Sequence, residues 1–253
     1  MVEALFWPAL LGYGEAAFAY ASARTSRTAT WGVRLGWLAQ TALLVVQAAR
    51  ADGFPWSTWA GSLNLFVWLV VGAYLIWGCR PRFRLLGLSV MPLAALLLGV
   101  ARLGGGTDAG TRSDYGNLFL ILHVGLVLAA FAGFTLAAGL AGLYLWEERR
   151  LKGRATDILR LRVPPLGTLE RLTRHTILVS LPLLTLGLAI GIVRQRRDGG
   201  SFDALEGVTL LAWLLYGGLV IARPHGRRAA LIALGGFALV IVARLALAGG
   251  HFA

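Results

Sequence analysis

Cysteine is almost absent from this 253-residue chain, in which Cys79 stands alone. No internal disulfide can form and no pair of thiols has metal-ligand spacing, so thiolate-bound metal clusters are excluded and cysteine usage reports no redox compartment. Charge is scarce as well: 14% of residues carry it, against roughly a quarter in an ordinary soluble domain. Acids are the scarcer sign, with 12 Asp and Glu against 24 Lys and Arg. No phosphate-binding glycine loop, no nucleophile with a base and acid in reach, and no carboxylate pair in a dry setting is visible, so the chain is not expected to be an enzyme. The first apolar segment also lacks a basic leader and a small-residue cleavage pattern, and it reads as a retained helix.

Apolar sequence fills the space that charge leaves. Hydrophobic residues make up 57% of the chain and the mean hydropathy is +0.70, which marks an integral membrane protein. Runs of about 20 mainly apolar residues, the length that crosses a hydrocarbon core, fall near 2–22, 32–49, 61–78, 85–102, 117–146, 175–193, 204–222 and 229–248. The expected fold is all-α, a polytopic membrane bundle of eight transmembrane helices forming one domain over residues 1–253. Seventeen of the 24 basic side chains lie in alternate connections, at 23–34, 79–84, 147–174 and 223–228. The positive-inside rule puts those connections in the cytoplasm and both termini outside, in a bacterial cytoplasmic (inner) membrane. Arginine facing anionic inner-leaflet lipid accounts for the net charge of +12, so the partner implied is the lipid bilayer and no nucleic acid is needed.

The fifth segment organises the rest. Ala129, Gly133, Ala137 and Ala141 recur every fourth residue along it, a small-residue ladder that lets neighbouring helices approach closely in lipid, and His123 sits near its outer end. Glu15, Gln40 and Gln47 are polar interruptions of helices one and two. The first can be protonated or reach water, and the glutamines are read as interhelical hydrogen-bonding groups. Trp56 and Trp59 meet where helix three begins; they are either headgroup anchors or the floor of a pocket for a flat ligand. The Gly-rich stretch 103–116 is expected to be a lid or spacer. A separate short surface helix is expected from Thr168, inside the cytoplasmic 147–174 connection, and Gly187 and Gly191 form a packing face on helix six.

The predicted topology sorts the four histidines, with His123 and His251 at the outer face and His175 and His225 at the inner. A single histidine at a helix end is most often an interfacial residue, and His251 is near a chain end. Two imidazoles at similar depth on different helices are also what an iron porphyrin takes as axial ligands, whereas zinc wants about four ligands.

The segment Phe202-Asp-Ala-Leu-Glu-Gly-Val-Thr-Leu-Leu-Ala-Trp-Leu-Leu-Tyr216 resembles a degraded copy of the tryptophan-rich motif of the cytochrome c assembly membrane proteins. It keeps Asp203, Glu206, Trp213 and Tyr216 in register. Leu122-His123-Val124, Pro165 to Leu172, Leu181 to Gly191 and Gly226 to Phe237 resemble that family too. The resemblance implies haem b held outward between His123 and His251, with Trp56, Trp59, Phe202 and Asp203 around the ring. Arg244 would meet the propionates from about 10.5 Å along the helix axis, with Arg102, Arg112 and Arg196 as alternatives. Arg196, Arg197, Gly199 and Gly200 replace the family's loop tryptophans, and about Ile221 stands where an inner histidine would be. The pattern is therefore more similar to the HemX-like, eight-helix branch than to a complete cytochrome c synthase of the CcsA type. It implies haem handling or delivery for cytochrome c assembly, or regulation of haem synthesis by acting on glutamyl-tRNA reductase. The partners implied are haem and either a haem-synthesis enzyme or a cytochrome c assembly protein.

A reporter fused after residue 253, or a cysteine placed there, is expected to be labelled from outside; labelling from the cytoplasm would reverse the topology.

Overall fold

The computed structural model describes residues 2–22, 26–50, 55–56, 58–77, 84–108, 118–153, 164–198 and 204–249. Among them the structure is wholly helical: α1 (Val2–Ala21), α2 (Ser26–Arg50), α3 (Trp59–Trp77), α4 (Arg84–Leu103), α5 (Leu118–Lys152), α6 (Leu166–Asp198), α7 (Ala204–Ala222) and α8 (Arg227–Gly249). Each helix falls on one of the eight apolar segments. Four carry described stretches long and apolar enough to cross a membrane, namely Trp59–Ile76, Leu85–Leu103, Leu120–Lys152 and Leu166–Arg196, and Glu206–Ala222 is a shorter apolar helix. Helix α2 is more polar, with Arg27, Arg34, Gln40 and Gln47 along its length. The chain divides into two compact units, Met1–Val124 and Gly125–Ala253.

In the first unit the helices bury one stripe each. On α1 the buried residues include Phe6, Ala9, Tyr13, Ala16 and Tyr20, while Trp7, Leu11 and Phe18 are exposed, so one face packs on protein and the opposite face is apolar but uncovered. Small residues set the distance between α1 and α2. A Cβ at Gly12 would lie 2.8 Å from both the Gly32 carbonyl oxygen and the Gly36 Cα, so the two backbones touch, as membrane helices do when dispersion replaces the hydrophobic effect. Helix α4 ends in a Schellman cap. The Gly106 amide donates to the Ala101 carbonyl at 2.7 Å and the Gly105 amide to Arg102 at 3.1 Å, with Gly105 at φ +76°, a conformation glycine adopts without strain. Residues 104–108, the described part of the 103–116 stretch, form this cap, and residues 109–116 of the expected lid or spacer lie outside the described residues.

In the second unit α5 is the central helix. Residues 132–138 are buried on every side of it, and Gly133 of its small-residue ladder faces α6. A Cβ at Gly133 would collide with the Ser180 side chain, and one at Gly187 would lie 2.7 Å from Val127 Cγ2. Phe134 stacks on Tyr216 of α7 with ring centroids 4.0 Å apart, and the Tyr216 hydroxyl donates to the Ala233 carbonyl of α8 at 3.0 Å. The surface helix expected from Thr168 is not separate. Helix α6 begins directly after Pro164 and Pro165, and the Thr168 and Leu169 amides donate to the Pro165 carbonyl at 2.8 and 3.2 Å. Residues 166–174 are therefore the first turns of α6, because Leu169 and Ile177 are buried on one continuous face.

Gly12→Ala should destabilise the protein by about 1–3 kcal/mol through overpacking. Gly14→Ala, two residues away with nothing within 4 Å of the new methyl, should be neutral or stabilising by up to about 1 kcal/mol. Thermal unfolding in detergent followed by circular dichroism compares the two.

Candidate functional site

One end of the first unit collects polar and aromatic groups on otherwise apolar helices. Gln40 and Gln47, seven residues apart on α2, occupy its buried stripe, and Asn64 faces them from α3; all three are at most 1% exposed. Their amides form a single chain of donors. The Tyr13 hydroxyl donates to Gln40 Oε1 at 2.6 Å, and Gln40 Nε2 donates to Asn64 Oδ1 at 2.9 Å and to the Asn64 carbonyl at 3.0 Å. Asn64 Nδ2 donates to Gln47 Oε1 at 3.1 Å, and Gln47 Nε2 donates to the Gly106 and Asp108 carbonyls at 3.1 and 2.9 Å. A buried amide without partners costs about 1–3 kcal/mol or more; here each has partners, and the chain ends on the α4 cap.

The candidate ligand contacts surround that cap. Trp56 Nε1 donates to Gln47 Oε1 at 3.4 Å, a long bond, and the Trp56 carbonyl accepts from Ser62 Oγ at 2.8 Å. Trp59 is 61% exposed, and its ring lies against Gly104, where a Cβ would be 2.5 Å from Cζ2. Arg102 pairs with Asp108 at 3.0 Å and lies over the Phe6 ring, 5.9 Å from its centroid. An exposed pair of this kind contributes about 1 kcal/mol or less, so an incoming carboxylate can compete for the guanidinium. The Thr107 hydroxyl, in the same cap, is buried without a partner.

His123 is half-buried in the second turn of α5 and belongs to the same unit as Trp56, Trp59 and Arg102. Arg196 is exposed near the end of α6, and Arg244 lies on α8 with its side chain outside the described ones. His251, Phe202, Asp203 and Arg112 lie outside the described residues. Among the described residues no three His, Cys, Asp or Glu side chains could together hold a metal ion. The described groups do fit part of a porphyrin's needs: an imidazole, exposed indole surface and a guanidinium for a carboxylate.

The second unit has a different pocket. Tyr144, Glu170, Arg174, Arg223 and Gly226 line a cavity of about 30 Å³, enough for one or two waters and far too small for a porphyrin. Glu170 Oε1 accepts from the Gly226 amide at 3.0 Å, which ties the start of α8 to α6. Gly226, at φ +63°, follows a turn in which Arg223 takes φ 48°, a region that costs a non-glycine residue free energy. Sequence reasoning missed this tie, for which the one signal was the Pro224-His-Gly226 turn; it also missed Asn64 as the partner of the two glutamines.

The family described as Cytochrome C assembly protein matches residues 56–248. Protein HemX of Brevibacillus brevis is 27% identical over 181 residues, covering 71% of this chain and 66% of its own length, just under two thirds. The cytochrome c biogenesis protein CcsA of Gloeothece citriformis (strain PCC 7424) is 24% identical over 271 residues, 85% of this chain and 83% of the relative. CcsA of Guillardia theta is 25% identical over 231 residues, 81% of this chain and 77% of the relative. No solved structure matches.

Glu170→Ala should lower stability by about 1.5–3 kcal/mol, the range for a hydrogen bond to a charged group. Glu170→Gln, which keeps an acceptor, should recover most of it, as read by thermal unfolding in detergent.

Proposed function

Because this chain belongs to the cytochrome c assembly protein family, we propose that it is a non-enzymatic membrane protein that binds haem at its outer face for cytochrome c assembly. The observation that carries this reading is the extent of the family match, which runs from Trp56 through His123 to residue 248 and supports a role in cytochrome c biogenesis. The proposed axial ligands are His123 and His251. Both reach the outer surface when helices are counted from opposite ends of the chain, and neutral imidazoles are strong ligands for haem iron. Trp56, Trp59, Phe202 and Asp203 surround the ring in this proposal, and Arg244 is the propionate partner. Arg102, Arg112 and Arg196 are loop and helix-end alternatives able to form bidentate bonds to carboxylates. The haem is b-type, and loss of the loop tryptophans makes its retention weak, as suits a carrier that releases its load.

The similarity to HemX favours a second reading, a membrane regulator that holds a haem-synthesis enzyme such as glutamyl-tRNA reductase through the basic 147–174 stretch. In that case His123→Ala leaves haem-dependent phenotypes intact while charge reversal in 149–162 abolishes them.

Titration of the purified protein with haem should give a low-spin bis-histidine absorption spectrum that is lost in both His123→Ala and His251→Ala. An unchanged spectrum in either variant, or no binding by the parent, contradicts the assignment.

A further inference from the structure

Resting on the haem reading above, we propose that Gln47 and Asn64 are positioning residues for the ligand site, through a buried amide relay that fixes its aromatic floor before any ligand arrives.

Three candidate contact residues are tied either to the cap or to the amide that grips it. Trp56 donates to Gln47 Oε1, Trp59 packs its ring on Gly104, and Arg102 is held by Asp108. The cap in turn is gripped from beneath, because the Gly106 carbonyl accepts from both Gln47 Nε2 at 3.1 Å and Asn64 Nδ2 at 3.3 Å, and the Asp108 carbonyl accepts from Gln47 at 2.9 Å. The relay has a direction. Tyr13 donates to Gln40, Gln40 to Asn64, Asn64 to Gln47 and Gln47 to the cap, so flipping Asn64 would set acceptor against acceptor at Gln47 and donor against donor at Gln40. Such a relay admits one arrangement of the cap, where an apolar core of the same volume would tolerate several. Burying three amides in a membrane helix bundle costs desolvation that leucines would avoid. The relay's last donors end on two carbonyls of the cap, and what that orders is the surface bearing Trp56, Trp59 and Arg102. A floor ordered in advance spares the ligand the loss of side-chain and loop freedom on binding.

The test compares Gln47→Met, which keeps length and volume without donors, with Thr41→Val. The latter removes the bond that Trp68 Nε1 makes to Thr41 Oγ1 at 2.7 Å, which lies in the same unit and outside the relay. Amide hydrogen exchange of residues 104–108 is measured in ligand-less protein in detergent, and haemin is then titrated. Gln47→Met should speed exchange in the cap and weaken haemin affinity about tenfold, the effect of one well-formed hydrogen bond, while the spectrum of the bound haem stays low-spin. Thr41→Val should leave both unchanged. Should Gln47→Met fail to fold, Asn64→Ala, which leaves the Gln47 amide in place, should shift both readouts in the same direction. If the parent binds haemin and the relay variant binds equally well, or if cap exchange is unaltered, the positioning role is overturned and the haem reading stands. A parent that binds no haemin overturns both.

Discussion

Inside a bilayer no water is available to a stranded polar group, so each one carried on a helix must find its partner within the protein. The first unit is organised by that constraint. Gln40, Gln47 and Asn64 are the polar side chains on the buried stripes of α2 and α3, and their hydrogen bonds decide which helix faces meet and where the α4 cap settles. The second unit meets the same demand with smaller means. Thr173, Thr176 and Ser180 of α6 donate to carbonyls one turn back on their own helix at 2.8–2.9 Å, and Tyr216 spends its hydroxyl on the α8 backbone.

Close approach is the second determinant, and glycine placement sets it. Gly12 against Gly32 and Gly36 brings two backbones together, and Gly133 makes room for the Ser180 side chain, the close approach that small residues allow between helices. The ladder on α5 was legible in the sequence because four-residue spacing of small residues is a local pattern, and so were the eight helices, since apolar length is local too. Gly12 was not legible as a contact, because it is small only in relation to Gly32 and Gly36 on another helix. The α6 start was misread for a similar reason. Thr168 carries the chemistry of an N-cap, but Leu169 and Ile177 lie on one continuous buried face, and tertiary burial overrode the local start signal.

The candidate site was legible in part. Tryptophans at a helix start and a histidine at a helix end are visible in any reading, and Trp56, Trp59 and His123 all fall in the first unit. What joins Trp59 and Arg102 is the 104–108 cap, to which Trp56 is linked through Gln47, and a glycine run says little about whether it is slack or fixed. Two positive-φ-compatible glycines read as freedom in sequence, yet Gly105 closes a Schellman motif and Gly106 presents its carbonyl to two amides. The glutamines were recognised as interhelical groups, while their partner Asn64 is identified only once α2 and α3 are set side by side.

Haem as the cargo is the reading proposed from membership of the cytochrome c assembly protein family. The central claim is that histidine nitrogens of this chain bind its iron. Electron paramagnetic resonance of the ferric haem complex tests it most directly. The account predicts a low-spin signal with the rhombic anisotropy of two imidazole ligands; a high-spin axial signal from the bound haem would contradict it.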